Sequence, residues 1–217
     1  MINKKNLIYE SHKKIKEAIS ARKKLFFWRL KGKPVPPPHV VKQKIVKYYA
    51  EIFKIHTLIE TGTYRGEMID SVLHVFSTII SIEVDPMLAQ RAQQKFSAYS
   101  HINVIQGDSG TILPVVIKDI TQPCLFWLDA HFSGGVTSKG DLETPIAKEL
   151  NVLLTHCCSD HVILIDDARN FIGQNSYPTM EEVKSLVRTM RPDFVVEEAD
   201  DVVRIYKKRV KQEALES

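Results

Sequence analysis

From Thr57 onward the chain alternates short apolar runs with stretches of helical periodicity. The apolar runs are Leu58–Ile59, Ile79–Val84, Ile102–Ile105, Leu125–Leu128 and Val162–Ile165. Helices are predicted between them near 66–76, 86–97, 110–117 and 143–156. A strand covered on both faces reads as a continuous apolar run, so this β-α-β-α order predicts a mostly parallel sheet with helices on both sides. Another helix is predicted over 179–190, with Thr179 and Glu181–Glu182 at its start. Phe194–Val196 and Val202–Tyr206 flank a polar Glu-Glu-Ala-Asp-Asp turn and read as a β-hairpin. The fold class expected is α/β: a doubly wound, mostly parallel seven-stranded sheet ending in an antiparallel hairpin, with an N-terminal helical extension.

The segment before the sheet has a different character. Pro34-Val35-Pro36-Pro37-Pro38 is too proline-rich for a helix and reads as a stiff connector. Ahead of it, residues 3 to about 30 read as a basic helix with Ile8, Ile15, Ile19 and Phe26 on one stripe. After it, His39 to about Ile55 reads as an amphipathic helix with Val40, Val41, Ile45, Val46, Tyr49 and Phe53 on its apolar side. The expected division is residues 1–38 as extension and connector, and residues 39–210 as the main domain.

Charge sharpens that division. Residues 1–47 hold 14 of the 30 lysines and arginines but 2 of the 26 acidic residues, a basic head of +12 on a body of −8. Three cysteines without C-x-x-C spacing exclude a disulfide framework and fit a reducing compartment. His156 and His161 flank Cys157–Cys158 without zinc-ligand spacing. Met1–Lys14 has no apolar segment of signal-peptide type, and no run approaches a membrane span. The location expected is cytoplasmic, with contact at the inner membrane face through residues 1–30 as one role for the basic head. Packing against the body is the other.

Candidate chemistry gathers at the predicted strand ends. "IETGTYRG", Ile59–Gly66, joins the first strand to a helix, where doubly wound folds bind ligands. Its glycines let the backbone approach a ligand, but it is neither a full G-x-G-x-x-G nor a Walker loop. Glu83, 21 residues after Gly62, ends the second strand and is placed to accept hydrogen bonds from ribose hydroxyls. Asp108 ends the third, placed for an adenine amine. Together they point to a nucleoside site.

"ETGTYRGEMI", "SIEVDP", "GDS" and the terminal hairpin resemble the Rossmann-like S-adenosylmethionine-dependent methyltransferases over about residues 57–207. The resemblance implies cofactor contacts from Glu60, Gly62, Thr63, Tyr64 and Gly66, ribose binding by Glu83, and adenine binding by Asp108 and Ser109. Where many members carry more glycine, this chain has Thr61–Tyr64.

"LFWLDAHFSGG", Leu125–Gly135, ends a wholly apolar strand on Asp129, and "HVILIDDARN" ends the next on Asp166 and Asp167. Adjacent parallel strands bring these carboxylates to one edge, where a hard divalent cation relieves their repulsion. The alternative is that they cap strand ends and point apart. Methyl transfer to a hydroxyl gives Mg²⁺ a use, since it lowers the hydroxyl pKa. His131 then stands as general base beside Asp129. The three aspartates and the "GTYRG" turn resemble the metal-dependent sugar O-methyltransferases of macrolide and aminocoumarin antibiotics. The segment from His131 to Pro145 is longer than theirs and reads as a glycine-hinged lid. Phe132, Lys139, Arg169 and Asn170 are its expected substrate contacts.

The function expected is a Mg²⁺-dependent O-methyltransferase acting on a small-molecule or glycan hydroxyl, with homo-oligomerisation open. Two alternatives stand beside it: a nucleic-acid methyltransferase, and a non-catalytic membrane- or partner-docking module on the same fold. Against nucleic acid, the body is acidic and no N-P-P-[YF] tetrapeptide follows the fourth strand.

Overall fold

The computed structural model describes residues 16, 19–129, 145–158 and 160–208. In chain order its elements are α1 (His39–Phe53), β1 (Thr57–Thr61), α2 (Glu67–Val72), β2 (Thr78–Glu83), α3 (Pro86–Phe96), β3 (Ile102–Gln106) and α4 (Ser109–Ile117). They continue with β4 (Leu125–Leu128), α5 (Ile146–Thr155), β5 (Val162–Ile165), a 3₁₀ turn (Ala168–Asn170), α6 (Met180–Met190), β6 (Phe194–Ala199) and β7 (Val202–Lys207). Residues 19–30 are also helical.

The seven strands form one sheet in the order β3-β2-β1-β4-β5-β7-β6. β1 to β5 pair in parallel and β7 is antiparallel to β5 and β6, so the expected doubly wound sheet with a closing hairpin is the one found. Side chains alternate across the sheet. Leu125 and Trp127 join the core layer under α1, α2 and α3. Phe126 and Leu128 join the opposite layer under α4, α5 and α6. All four are almost completely buried, which is why β4 shows no polar alternation in sequence.

Local chemistry sets several boundaries. The Asp85 carboxylate accepts from the N–H groups of Met87 and Leu88 at 2.8 and 2.9 Å, and Pro86 opens α3. Thr179 and Glu182 form a reciprocal capping box at the start of α6. α2 is shorter than its pattern predicts, because the N–H groups of Val75 and Phe76 both turn back to the Val72 carbonyl. The expected five-residue hairpin turn contracts to Asp200–Asp201, both left-handed at φ +52° and +63°. Two consecutive positive φ values match the twist of a hairpin, and aspartate tolerates them better than most residues. Glu197 and Glu198 consequently lie in β6 rather than in the turn.

Leu25 and Trp28 from residues 19–30 are buried in the layer that includes Val41, Ile45 and Tyr49, and the Trp28 indole donates to the Pro34 carbonyl at 2.8 Å. The other side of that helix leaves Ile19, Phe26, Phe27 and Leu30 exposed.

Gly66 joins the first turn to this frame. Its φ is +70°, and a Cβ there would lie 2.7 Å from the Phe96 ring. Gly66→Ala is expected to cost about 1–3 kcal/mol from combined strain and overpacking. Urea denaturation checks this; an unchanged midpoint would show that the turn is not held against α3.

Candidate functional site

The carboxyl ends of the parallel strands build the site. After β1, Gly62 (φ +88°) donates its N–H to the Ile82 carbonyl at 2.9 Å. Tyr64 is left-handed at φ +49° and donates its N–H to Glu83 Oε2 at 2.7 Å. The other oxygen, Glu83 Oε1, accepts from the Asp85 N–H at 3.0 Å. Backbone N–H groups of Tyr64, Asp85 and Val84 therefore fix the Glu83 carboxylate. Burial pushes the Glu83 carboxyl up, and those N–H groups pull against it.

Below the turn, the Ser81 hydroxyl donates to Glu60 Oε2 at 2.6 Å and lies 2.6 Å from Thr63 Oγ1. Glu60 is 2% exposed. Burial pushes its carboxyl up to about 8, with the Ser81 bond opposing and Asp129 and Glu83 adding to the rise. Near neutral pH, Glu60 is chiefly a neutral acid with a proton to donate.

Asp108 stands at the N-cap of α4 without a side-chain capping bond, and Ser109 is the first, buried, residue of the helix. Beside them lies a residue the sequence reading missed. Glu149 on α5 is 1% exposed, and neither of its oxygens has a hydrogen-bond partner. Thr61 Oγ1, one of its neighbours, is likewise unpartnered. Burial pushes Glu149 up to about 7; the Ser109 and Thr61 hydroxyls oppose this, and Asp108 adds to it. Its signal in sequence was available: Ile146, Leu150, Leu153 and Leu154 form the apolar stripe of α5, and Glu149 interrupts it.

The expected aspartates do reach one edge. The Asp129 N–H donates to the Thr61 carbonyl at 2.9 Å, and the Asp166 N–H to the Leu128 carbonyl at 3.0 Å. Among the described residues, however, the carboxylates that lie within 4.8 Å of one another are those of Asp166, Asp167 and Asp201. Asp201 comes from the β6–β7 turn and reaches this edge because β7 pairs with β5.

Two cations already hold this group. Lys42 of α1 is 2.6 Å from Asp166 Oδ2 and 3.2 Å from Asp167 Oδ1. Arg169 is 3.0 Å from Asp167 Oδ1 and also bonds the Asp201 carboxylate. Burial works against charge on Lys42, but Asp166, Asp167 and Asp129 outweigh it and raise its pKa, so the ammonium stays protonated. As arranged, the group does not fit Mg²⁺, which needs near-octahedral oxygen ligands at about 2.0–2.1 Å. The Lys42 ammonium lies between the two carboxylates such an ion would bridge. The cluster that forms has Asp201 where the expected set had Asp129, and Lys42 and Arg169 balance its charge.

A cleft of about 410 Å³ opens over this edge, within the usual range for small-molecule sites. Glu60, Thr63, Tyr64, Asp129, Asp166, Asp167 and Arg169 line it, with His39 and Lys42 contributed by α1. Burial lowers the His39 pKa against the opposing pull of Glu67 and Asp129. The Gln43 amide lies 3.0 Å from His39 Nδ1, which must accept, so neutral His39 carries its proton on Nε2. Glu83, Asp108 and Ser109 do not line this cleft; they stand along the same strand-end edge. Arg169 lines it while also tied to aspartates, a holding role not foreseen. Asn170 is not among the lining residues. His131, Phe132 and Lys139 lie outside the described residues.

No family model and no curated sequence matches the chain. Solved structures match its fold. The O-methyltransferase TomG from Streptomyces achromogenes, in complex with SAM, is 14% identical with a TM-score of 0.58, over 88% of this chain and 89% of that one. The SAH-bound methyltransferase PaMTH1 from Podospora anserina is 16% identical with a TM-score of 0.56, over 92% and 96%. An O-methyltransferase from Bacillus cereus in complex with SAH is 13% identical with a TM-score of 0.55, over 87% and 90%. The chain has the fold of these methyltransferases.

The unpartnered Glu149 gives a pH prediction. A carboxyl whose pKa rises on folding contributes stability below about 4.5 that is lost as pH climbs through about 7. Glu149→Gln is expected to match the parent near pH 5 and to exceed its stability by up to about 3 kcal/mol at pH 9. Denaturant titrations at both pH values check this; a constant difference between the two proteins would show that Glu149 does not ionise on that path.

Proposed function

We propose that the chain is an S-adenosylmethionine-dependent O-methyltransferase acting on a hydroxyl of a sugar or glycoconjugate. The observation that carries this reading is the fixed Glu83 carboxylate, clamped by Tyr64 and Asp85 beside a cleft lined with strand-end acids. A carboxylate fixed in this way suits a ribose hydroxyl as its hydrogen-bond donor. Asp108 and Ser109 stand one strand further along for the adenine, with the buried Glu149 carboxyl behind them. Glu60, Gly62, Thr63, Tyr64 and Gly66 take the methionine end.

When bound, the cofactor supplies a methyl group on a sulfonium. That methyl would pass to an acceptor hydroxyl oxygen, with the cofactor left as a neutral thioether. The hydroxyl proton must leave to a base. His131, two residues beyond Asp129 in sequence, is the proposed base; neutral His39 presents an N–H and serves as a donor. Phe132, Lys139, Arg169 and Asn170 are the proposed acceptor contacts. A cleft rich in carboxylates suits polyhydroxyl acceptors, which donate several hydrogen bonds at once. It disfavours a polyanion such as nucleic acid.

Calorimetry with S-adenosylmethionine tests the reading. Micromolar binding is expected, with a loss of at least tenfold in Glu83→Ala. No binding to the parent protein would sink it.

A second observation bears on where the protein acts. No described helix is long and apolar enough to cross a membrane. Ile19, Phe26, Phe27 and Leu30 are nonetheless exposed on a helix that also carries Arg22, Lys23, Lys24 and Arg29. We infer peripheral docking of this helix on anionic lipid, which brings the cleft to lipid-linked acceptors. Co-sedimentation is expected with phosphatidylserine vesicles and to fall severalfold in Phe26→Glu or on adding salt. Equal recovery with and without anionic lipid would count against it.

A further inference from the structure

Helix α1 meets the end of β5 through Lys42. Lys42 lies on the buried side of α1, next to Val41 and one turn before Ile45 and Val46. Its side chain is 10% exposed, and its ammonium bridges two carboxylates that are themselves almost fully buried. Asp167, held left-handed at φ +56°, donates its N–H back to Asp166 Oδ1 at 2.7 Å. The carboxylate pair is thus set by its own backbone as well as by the lysine.

We propose that Lys42 is the resident cation of this cluster, standing in place of a divalent metal ion, so that the site works without one. Three carboxylates within 4.8 Å need positive charge in their midst. Lys42 and Arg169 supply two charges from within the chain. A metal would have to expel the ammonium and leave a buried charge without its partners, which is strongly unfavourable. The lysine itself needs little ordering on binding, because α1 is anchored by Val46, Tyr49 and Ala50 in the core. One ammonium donor goes to Asp166 and one to Asp167. The third remains for Asp129, whose charge also acts on Lys42, or for an acceptor oxygen in the cleft. The inference rests on the O-methyltransferase reading only for that last role; the occupancy of the cluster stands apart from it.

The test is a Mn²⁺ titration followed by electron paramagnetic resonance, on the full chain and on Lys42→Met. The parent is expected to show no Mn²⁺ site that Asp166→Asn removes, up to millimolar ion. Lys42→Met is expected to gain one site, at least tenfold tighter, which Asp166→Asn abolishes in the same background. A parent that binds one Mn²⁺ below millimolar and loses it in Asp166→Asn overturns the proposal. So does a folded Lys42→Met that gains no site. Circular dichroism reports whether Lys42→Met folds. If it does not, Lys42→Arg replaces it and decides the matter: retention of the fold with no Mn²⁺ uptake supports the proposal, and uptake defeats it. S-adenosylmethionine binding in EDTA, measured on the parent, separates the two readings. Its absence defeats the proposed function and leaves the cation assignment to the Mn²⁺ result.

Discussion

The central strands β1, β4 and β5 are buried on both faces and can carry almost no polar side chains before their ends. Their backbone groups are satisfied within the sheet, and both sides are closed by helices. Polar chemistry is therefore pushed to the strand ends, and parallel pairing puts all five carboxyl ends on one edge. Glu60 and Thr61 close β1, Glu83 closes β2, Asp108 follows β3, Asp129 follows β4, and Asp166 and Asp167 follow β5. The site is a consequence of this constraint. The same parallel pairing that hides Phe126 and Trp127 aligns Asp129 with its neighbours.

Crowding acids at one edge creates an electrostatic problem, and the chain answers it differently at each end. On the β2 side, backbone N–H groups hold Glu83, and Ser81 holds a Glu60 that is largely neutral near pH 7. On the β5 side, the answer is a cation brought from elsewhere. Lys42 comes from the basic N-terminal part and Arg169 from the 3₁₀ turn. The opposite charges of head and body thus meet at the site, and Lys33 adds a weaker contact to Asp200 at 3.5 Å.

Much of this was legible in sequence because it is local. Each strand announced itself as an apolar run, each strand end as the residue that broke the run, and the hairpin as two runs about an acidic turn. The boundary errors, at α2 and at the Asp200–Asp201 turn, come from hydrogen bonds among a few residues that composition does not specify. What escaped was tertiary. Lys42 and Glu149 read as single polar interruptions of amphipathic helices, and such interruptions usually face solvent. Their burial depends on which face of α1 or α5 meets the sheet. Asp201 belonged to a turn whose position beside Asp166 follows only from β7 pairing with β5. The metal expectation turned on the same point: three acids at one edge were readable, and the Lys42 ammonium between Asp166 and Asp167 was not.

The central claim is that this edge is a nucleoside-cofactor site made by the first turn, the end of β2 and the start of α4. Hydrogen–deuterium exchange with and without S-adenosylhomocysteine tests it most directly. Slowed exchange is expected at 62–66, 83–85 and 107–110, with β6 and β7 unchanged. Protection confined to other segments, or none at saturating ligand, would contradict it.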